Sequence, residues 1–280
     1  MIDKQLQQKI NMSIKLLQLY NDSSNPICIS YSGGKDSDVI LQLAKEAGIN
    51  YVSIYKNTTI DPPGTIQHVR EMGVEIMQPR NGITFFKLID KYGYPSRWRR
   101  YCCGFLKEYK TNDKVVIGVR KDESTKRRQR YNEPTECRYF GKEHVEQVYP
   151  ILEWTNDDVK CFIEDRGIRC APVYYDEVGE FHVERRLGCM CCPIKSHKNV
   201  IEDFKNHPNI IRAYLRHGKI YLDSHKDNEK LAQAYNGDQY AYFYRHFFAP
   251  TRSMFEQTKL TIFGQLNYKE ELEAIFGIKL

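Results

Sequence analysis

The sequence predicts an α/β fold in which a doubly wound, mostly parallel β-sheet is followed by a helical C-terminal region. Short apolar runs alternate with helical patterns as far as about residue 120, which is the spacing of parallel β–α–β units. One of these runs leads into a glycine-rich loop and then a helix, as at the carboxyl edge of such a sheet. Beyond Pro150 the pattern becomes helical and irregular, and tyrosines recur.

The predicted elements follow in chain order. Residues 4–20 carry apolar side chains at helical spacing, a strand follows at 27–31, and the helix after it ends at Gly48. The next elements are a strand at 51–55, a helix at 65–72, a strand at 74–77, a helix at 85–91 and a strand at 115–119. We expect one domain over residues 1–195 and a helical region over 196–280, although no Gly/Ser or Pro linker marks the boundary.

The composition excludes a disordered or membrane-spanning chain. Hydrophobic residues make up 41% and charged residues 28%, so the chain can bury a core. No window approaches the roughly 18 apolar residues of a membrane span. The first five residues lack the apolar run of a signal peptide. We therefore expect a cytoplasmic protein without a membrane partner.

Positive charge is concentrated in one segment. Residues 97–130 contain twelve Lys and Arg against four Asp and Glu, a net charge of +8, whereas the whole chain carries +6. This bias predicts an anionic ligand, and a solvated basic face is the alternative.

The glycine-rich loop predicts a phosphate site. Gly33 and Gly34 allow backbone N–H groups to close around phosphate oxygens, and the following helix adds the partial positive charge of its N-terminus. Lys35 supplies a full positive charge, and Ser32 and Ser37 can donate hydrogen bonds. The spacing is neither G-x-x-x-x-G-K-[ST] nor G-x-G-x-x-G.

The run Ser-Gly-Gly-Lys-Asp-Ser at 32–37 resembles the PP-loop of the adenine nucleotide α-hydrolase superfamily. Those Rossmann-like enzymes split ATP between the α and β phosphates. Four later segments are similar to motifs of the phosphoadenosine phosphosulfate (PAPS) reductase-like branch: RYCC at 100–103 followed by LK at 106–107, GVRKDESTKR at 118–127, PILEWT at 150–155 followed by DV at 158–159, and GCMCCP at 188–193.

The resemblance and the side-chain chemistry imply the same site. The expected nucleotide-binding residues are Ser32, Gly33, Gly34, Lys35, Asp36, Ser37, Gly118 and Arg120. Lys35 would hold the β and γ phosphates, and Asp36 would hold Mg²⁺. Arg120 and Arg127 would stabilise the negative charge that develops on the phosphate, which makes Lys35, Asp36, Arg120 and Arg127 the expected catalytic set.

Four of the nine cysteines form a candidate metal site. Cys102 and Cys103 are adjacent, and Cys189 and Cys192 form a C-x-x-C pair. Four thiolates suit a 4Fe–4S cluster or Zn²⁺, and uncoordinated thiols are a third interpretation. The resembled branch implies a 4Fe–4S cluster near the nucleotide. Cys191 is then either buried or a sulfur-handling thiol, Cys28 belongs to a core strand, and no role follows for Cys137, Cys161 and Cys170.

The expected function is ATP pyrophosphatase chemistry coupled to sulfur transfer onto an acceptor. The loop retains Lys35 and Asp36, which true PAPS reductases lack, and no cysteine follows Cys192. The combination resembles ATP-dependent sulfur-inserting enzymes and implies a sulfur-donor protein of the cysteine desulfurase kind. An adenylyl-sulfate or PAPS reductase and a non-catalytic nucleotide-binding module are the alternatives.

A nucleic acid is one expected class of acceptor. The basic segment has more cations than ATP needs, and aromatic residues are interleaved with them. These residues are Arg97, Arg99, Arg128 and Arg130, with Tyr94, Trp98 and Tyr101. Such a pattern can follow a polynucleotide backbone and stack its bases, although ATP and a solvated loop could also account for the charge.

Overall fold

The computed structural model describes residues 2–140, 142–248 and 267–280, and the chain divides into two compact units. The first unit comprises Met1–Pro79 and Phe105–Cys189, and the second comprises Arg80–Gly104 and Met190–Leu280. The contacts therefore group residues 80–104 with the C-terminal helices. The domain boundary at residue 195 stays a prediction.

A six-stranded sheet forms the centre of the first unit. Its strands are β1 (Ile27–Tyr31), β2 (Tyr51–Lys56), β3 (Glu75–Met77), β4 (Lys114–Val116), β5 (Thr135–Phe140) and β6 (Glu143–Val148). Their spatial order is β3-β2-β1-β4-β6-β5, and every neighbouring pair is parallel except β5 with β6. The predicted mostly parallel α/β sheet is confirmed, with an antiparallel edge strand that the sequence pattern did not predict.

The helices are numbered in chain order through both units. They are α1 (Lys4–Leu19), α2 (Lys35–Ala47), α3 (Thr65–Glu71), α4 (Phe85–Tyr92), α5 (Tyr101–Leu106), α6 (Thr125–Arg130), α7 (Asn156–Arg166), α8 (His197–Asn206), α9 (Pro208–Ser224), α10 (Glu229–Tyr235), α11 (Gln239–Phe247) and α12 (Tyr268–Phe276). None of the helices in the described ranges is long and apolar enough to cross a membrane.

The core of the first unit lies between one face of the sheet and the helices that cover it. The β1 side chains Ile27 and Ile29 are buried there with Leu17 of α1 and with Val39 and Leu43 of α2. Burying aliphatic side chains of this size stabilises the fold by about 1.5–3 kcal/mol each. This packing fixes the position of α2, and therefore of the loop that precedes it.

An aromatic core holds the second unit together, which confirms the predicted helical C-terminal region. Phe204, Tyr214 and Phe243 are buried, and the ring centroids of Tyr214 and Phe243 lie 5.2 and 5.1 Å from that of Phe204. All three rings meet edge to face, the arrangement that aromatic quadrupoles favour.

His246 makes the stability of the second unit depend on pH. Burial lowers the pKa of this imidazole from 6.5 to about 4, and its Nε2 lies 3.1 Å from the Pro95 carbonyl oxygen. The unfolded chain therefore binds more protons than the folded chain between these values, and the free energy of unfolding falls as the pH falls. We expect a loss of about 2 kcal/mol between pH 7 and pH 5, measured by urea denaturation.

The matched variants are His246→Gln and His144→Gln, since His144 is exposed. The first should lose this pH dependence and the second should keep it. Equal pH dependence in both variants would show that His246 is not the group responsible.

Candidate functional site

The glycine-rich loop joins β1 to α2 at the carboxyl edge of the sheet. Gly34 caps α2, and the two serines close the loop on itself. The Ser37 hydroxyl donates to the Gly34 carbonyl oxygen at 2.6 Å, and the Gly34 N–H donates to Ser32 Oγ at 3.3 Å. The positive end of α2 therefore lies at this loop, where phosphates are expected.

Close approaches explain why glycines occupy two positions of the site. Gly33 has φ +77°, and a Cβ there would lie 3.1 Å from both Thr65 and Leu187. A Cβ at Gly118 would lie 3.2 Å from the backbone carbon of Asp36. Glycine at 118 thus lets the chain leaving β4 approach the first turn of α2.

Lys35, Asp36 and Arg120 form one ion-pair network. Asp36 Oδ1 accepts from Arg120 Nε at 2.7 Å, and Asp36 Oδ2 lies 3.2 Å from Lys35 Nζ. Lys35 is 3% exposed and Arg120 is 1% exposed. Burial, together with the nearby guanidinium groups of Arg120 and Arg186, lowers the pKa of Lys35, and Asp36 opposes the shift. The structure thus brings together three of the four predicted catalytic residues.

Arg120 is held by groups that the sequence analysis did not single out. Its Nη2 donates to Asn156 Oδ1 at 2.9 Å, and its Nη1 donates to the Trp154 carbonyl oxygen at 3.3 Å. Asn156 is the first residue of α7, and its own N–H donates to Asp122 at 3.0 Å. Residues 154–156 therefore position the buried guanidinium of Arg120.

Arg127 lies on α6 and forms an ion pair with Glu123. Burial lowers the pKa of Arg127, and the positive charge of Arg186 lowers it further. The fourth predicted catalytic residue is thus close enough to Arg186 and Arg120 to feel their charges. No sequence signal separated Arg186 from the other cations, because it lies 59 residues beyond Arg127.

The segment before Gly188 lies against the loop. Arg186 Nη2 donates to the Glu123 carbonyl oxygen, and the Leu187 N–H donates to the Tyr174 hydroxyl at 3.2 Å. The Tyr174 ring also contacts the Lys35 ammonium, which lies 5.3 Å from the ring centroid.

The charges of the site favour an anionic ligand. The site contains four cations and three carboxylates: Lys35, Arg120, Arg127 and Arg186 with Asp36, Asp122 and Glu123. The N-terminus of α2 adds to the positive excess. The arrangement can bind a polyphosphate and stabilise further negative charge on it.

Hydrogen bonds to Asp61 order the loop that follows β2. Asp61 accepts from the Tyr55 hydroxyl at 2.5 Å and from the Thr58 N–H at 3.2 Å. Cys189 Sγ lies 3.6 Å from Thr58 Oγ1, so one predicted metal ligand lies beside this loop.

The four predicted metal-ligating cysteines belong to different units. Cys189 ends the first unit, whereas Cys102, Cys103 and Cys192 belong to the second. Cys191 is buried, has φ +53°, and its N–H donates to Asp203 at 2.7 Å. The ligand set stays a prediction.

A different group of potential ligands lies on an exposed loop. Within the described ranges, the ligand atoms of Asp176, Glu180 and His182 lie within 4.8 Å of one another. Asp176 Oδ1 accepts from the N–H groups of Val178 and Glu180, so backbone contacts already explain the shape of this loop.

Two residues of the predicted polynucleotide surface, Tyr94 and Arg130, contact other side chains of the protein. Tyr94 is buried and stacks on Tyr242 at 4.4 Å between centroids, so the expectation that it stacks bases is wrong. Arg130 forms an ion pair with Glu136 at 2.5 Å. Trp98, in contrast, is 96% exposed.

Fold and site define an α/β protein with a glycine-rich loop and an ion-pair network at the carboxyl edge of its sheet. Residues 26–195 match the family model of the phosphoadenosine phosphosulfate reductase domain. The chain belongs to this family of PP-loop proteins, which confirms the resemblance found in the sequence.

Two uncharacterized proteins of Methanocaldococcus jannaschii are similar to the chain. MJ0066 is 25% identical over 228 residues, which cover 75% of this chain and 45% of that protein. MJ0973 is 25% identical over 229 residues, which cover 76% of this chain and 53% of that protein. The chain therefore spans about half the length of these relatives.

Solved structures with a similar chain path include two fungal enzymes. FMN adenylyltransferase of Candida glabrata, with FMN and the ATP analogue AMPCPP, is 15% identical at a TM-score of 0.45 and covers 61% of this chain and 60% of its own. PAPS reductase of Candida auris, as a phosphate complex, is 16% identical at a TM-score of 0.45 and covers 65% of this chain and 97% of its own.

Proposed function

We propose that the protein is an ATP pyrophosphatase that activates an acceptor and couples this step to sulfur transfer. The observation that carries the proposal is the network of Lys35, Asp36 and Arg120 at the N-terminus of α2. A polyphosphate bound there would meet the N-terminus of α2 together with the lysine and the guanidinium that the Asp36 carboxylate links. Family membership supports an adenine nucleotide as the source of that polyphosphate.

The first step transfers AMP to the acceptor. An acceptor oxygen attacks the α phosphorus, the bond from that phosphorus to the bridging α–β oxygen breaks, and pyrophosphate leaves with the bonding electrons. Lys35 and the loop N–H groups hold the β and γ phosphates and so stabilise the leaving group. Arg120 and Arg127 stabilise charge on the phosphate oxygens.

Asp36 fits the chemistry of a Mg²⁺ ligand. Its carboxylate lies where the phosphates are expected, and each oxygen keeps a lone pair beyond its contact with Lys35 or Arg120. Mg²⁺ bound there would neutralise phosphate charge. Asp36 also aligns Lys35 and Arg120, because each of its oxygens contacts one of them.

The second step replaces the activated oxygen by sulfur. A nucleophile at the oxidation level of sulfide displaces AMP, and this displacement itself changes no oxidation state. A donor protein of the cysteine desulfurase kind would supply the sulfur as a persulfide, and two thiols, oxidised to a disulfide, would reduce it to the sulfide level. The thiolates of Cys102, Cys103, Cys189 and Cys192 have the donor chemistry for a 4Fe–4S cluster or Zn²⁺, and these residues would hold it.

Two substrates separate this function from that of a sulfonucleotide reductase. The full chain should release pyrophosphate from ATP and should not release sulfite from PAPS or adenylyl sulfate in the presence of a thiol reductant. Sulfite release without pyrophosphate release would establish the reductase instead. Binding of ATP without release of either product would establish a nucleotide-binding module.

Arg186 should contribute to nucleotide binding. Without a ligand, the positive charge of Arg186 repels those of Lys35 and Arg127. A bound polyphosphate would attract all three cations. We expect Arg186→Ala to raise the KM for ATP about tenfold, as the loss of one charge-assisted hydrogen bond does, with a smaller change in kcat. Lys126→Ala, at an exposed position of α6, is the control. An unchanged KM in the Arg186 variant would place its guanidinium outside the nucleotide site.

The cysteine set is tested by metal content. Protein purified without oxygen should contain about four irons per chain and absorb near 400 nm, as a thiolate-bound 4Fe–4S cluster does. Serine at Cys102, Cys103, Cys189 or Cys192 should each lower the iron content. Cys137→Ser is the matched control, because Cys137 is exposed on β5. Stoichiometric zinc without iron would contradict the cluster and favour a structural zinc site.

A further inference from the structure

Trp98 is presented to solvent by a rigid turn of the second unit. Its side chain is 96% exposed, the highest value among the exposed large hydrophobic residues of the described ranges. Two backbone hydrogen bonds close the turn, from Arg99 N to Ser96 O at 3.1 Å and from Ser96 N to Arg99 O at 3.3 Å. The backbone that carries the exposed indole is therefore held by its own hydrogen bonds.

Arg97 fastens this turn to the rest of the unit. Its Nε donates to the Pro193 carbonyl oxygen at 3.0 Å, and its Nη2 donates to the Lys195 carbonyl oxygen at 3.1 Å. Two backbone acceptors on a different segment thus fix the position of the turn. Because the backbone of the turn is already ordered, binding costs less conformational entropy than it would on a flexible loop.

The surroundings of Trp98 are strongly basic. No acidic residue occurs between Asp90 and Glu108, whereas Arg97, Arg99 and Arg100 flank the indole in the chain. The Arg99 guanidinium lies 5.7 Å from the Tyr101 ring centroid. An exposed flat ring among cations matches a ligand that combines flat bases with repeated negative charge.

We propose that the Trp98 turn binds single-stranded nucleic acid, with a base stacked on the indole and the neighbouring Arg99 on a phosphate. The inference rests on the proposed function, because it names the class of acceptor. A protein interface fits less well, since such interfaces bury a contiguous apolar centre and this indole stands among charges. Stacking on one ring tolerates any base, so the binding depends weakly on sequence.

The two tryptophans allow a direct test with the full chain. Trp154 is 2% exposed, so emission that acrylamide quenches comes from Trp98. A twelve-nucleotide oligouridylate or oligothymidylate should quench this emission at low salt. Trp98→Ala should weaken oligonucleotide binding, followed with a labelled strand, by about tenfold.

Charge and aromatic controls are available elsewhere in the chain. Arg99→Ala should reduce the slope of log K against log salt by about 0.7. Tyr139→Ala removes an aromatic side chain that is 71% exposed on β5, and Arg216→Ala removes an exposed cation of α9. Both control variants should bind the oligonucleotide as the wild type does.

Several outcomes would overturn the inference. Absence of quenching in the wild type would do so, as would equal affinity of the Trp98 variant, or equal competition by polyglutamate, which would indicate an acidic protein partner. Pyrophosphate release by the wild type is measured separately. A protein that releases pyrophosphate but does not bind the oligonucleotide would retain the proposed function and lose this acceptor.

Discussion

Replacement of Lys35 by alanine is expected to lower the rate of pyrophosphate release from ATP by about 100- to 1,000-fold. The Lys35 ammonium is buried at the N-terminus of α2, 3.2 Å from Asp36, and it is the charge closest to the leaving group in the proposed mechanism. Burial lowers its pKa, so removing this charge relieves a desolvation cost. The variant should therefore fold, with a free energy of unfolding within about 1 kcal/mol of the wild type.

Lys45 provides the control on the same helix. It lies exposed in the last turn of α2, and Lys45→Ala should leave both turnover and stability unchanged. Wild-type turnover in a folded Lys35 variant would contradict the assignment of the loop as the phosphate site.

Arg120→Ala is expected to remove activity and also to destabilise the first unit by about 3–5 kcal/mol. The guanidinium is 1% exposed, and its removal leaves Asp36 Oδ1, Asn156 Oδ1 and the Trp154 carbonyl oxygen without this donor. Urea denaturation and pyrophosphate release measure the two effects separately. Arg120→Lys should recover part of the stability and little activity, because an ammonium cannot replace the forked donor.

Arg128 provides the comparison for Arg120. It is exposed on α6, and Arg128→Ala should change the free energy of unfolding by no more than about 0.5 kcal/mol. If Arg120→Ala unfolds at the same urea concentration as Arg128→Ala, the buried network is not what holds this part of the unit.

Local patterns were sufficient to predict β1 to β4 but not β5 or β6, although β6 is parallel to β4. The apolar residues of β1 reflect burial on both faces of the sheet, which sequence patterns report directly. The sequences of β5 and β6 show no clear hydrophobic pattern. The reason is that β5 is an edge strand and that only Val145, Gln147 and Val148 are buried on β6. The structure therefore contains an antiparallel pair where the sequence showed little hydrophobic signal.

In the site, too, residues of one contiguous segment could be predicted, whereas residues distant in the chain could not. Lys35 and Asp36 follow from one contiguous loop, whereas Asn156 and Arg186 reach the site only through the fold. Tyr94 could not be assigned from its neighbours in the chain. Its hydroxyl donates to the Tyr214 carbonyl oxygen at 2.8 Å, and a Cβ on Gly218 would lie 2.1 Å from that hydroxyl, so a glycine far along the chain makes room for it.

The bond that the protein breaks in ATP decides whether it is an ATP pyrophosphatase. The full chain is incubated with ATP and Mg²⁺, with and without an oligonucleotide, and the products are followed by phosphorus NMR. We expect one pyrophosphate for each ATP consumed, with the AMP either bound to the acceptor or released when water is the acceptor, since the loop and Lys35 hold the β and γ phosphates as one leaving group. Formation of ADP and orthophosphate, or intact ATP under both conditions, would contradict this expectation.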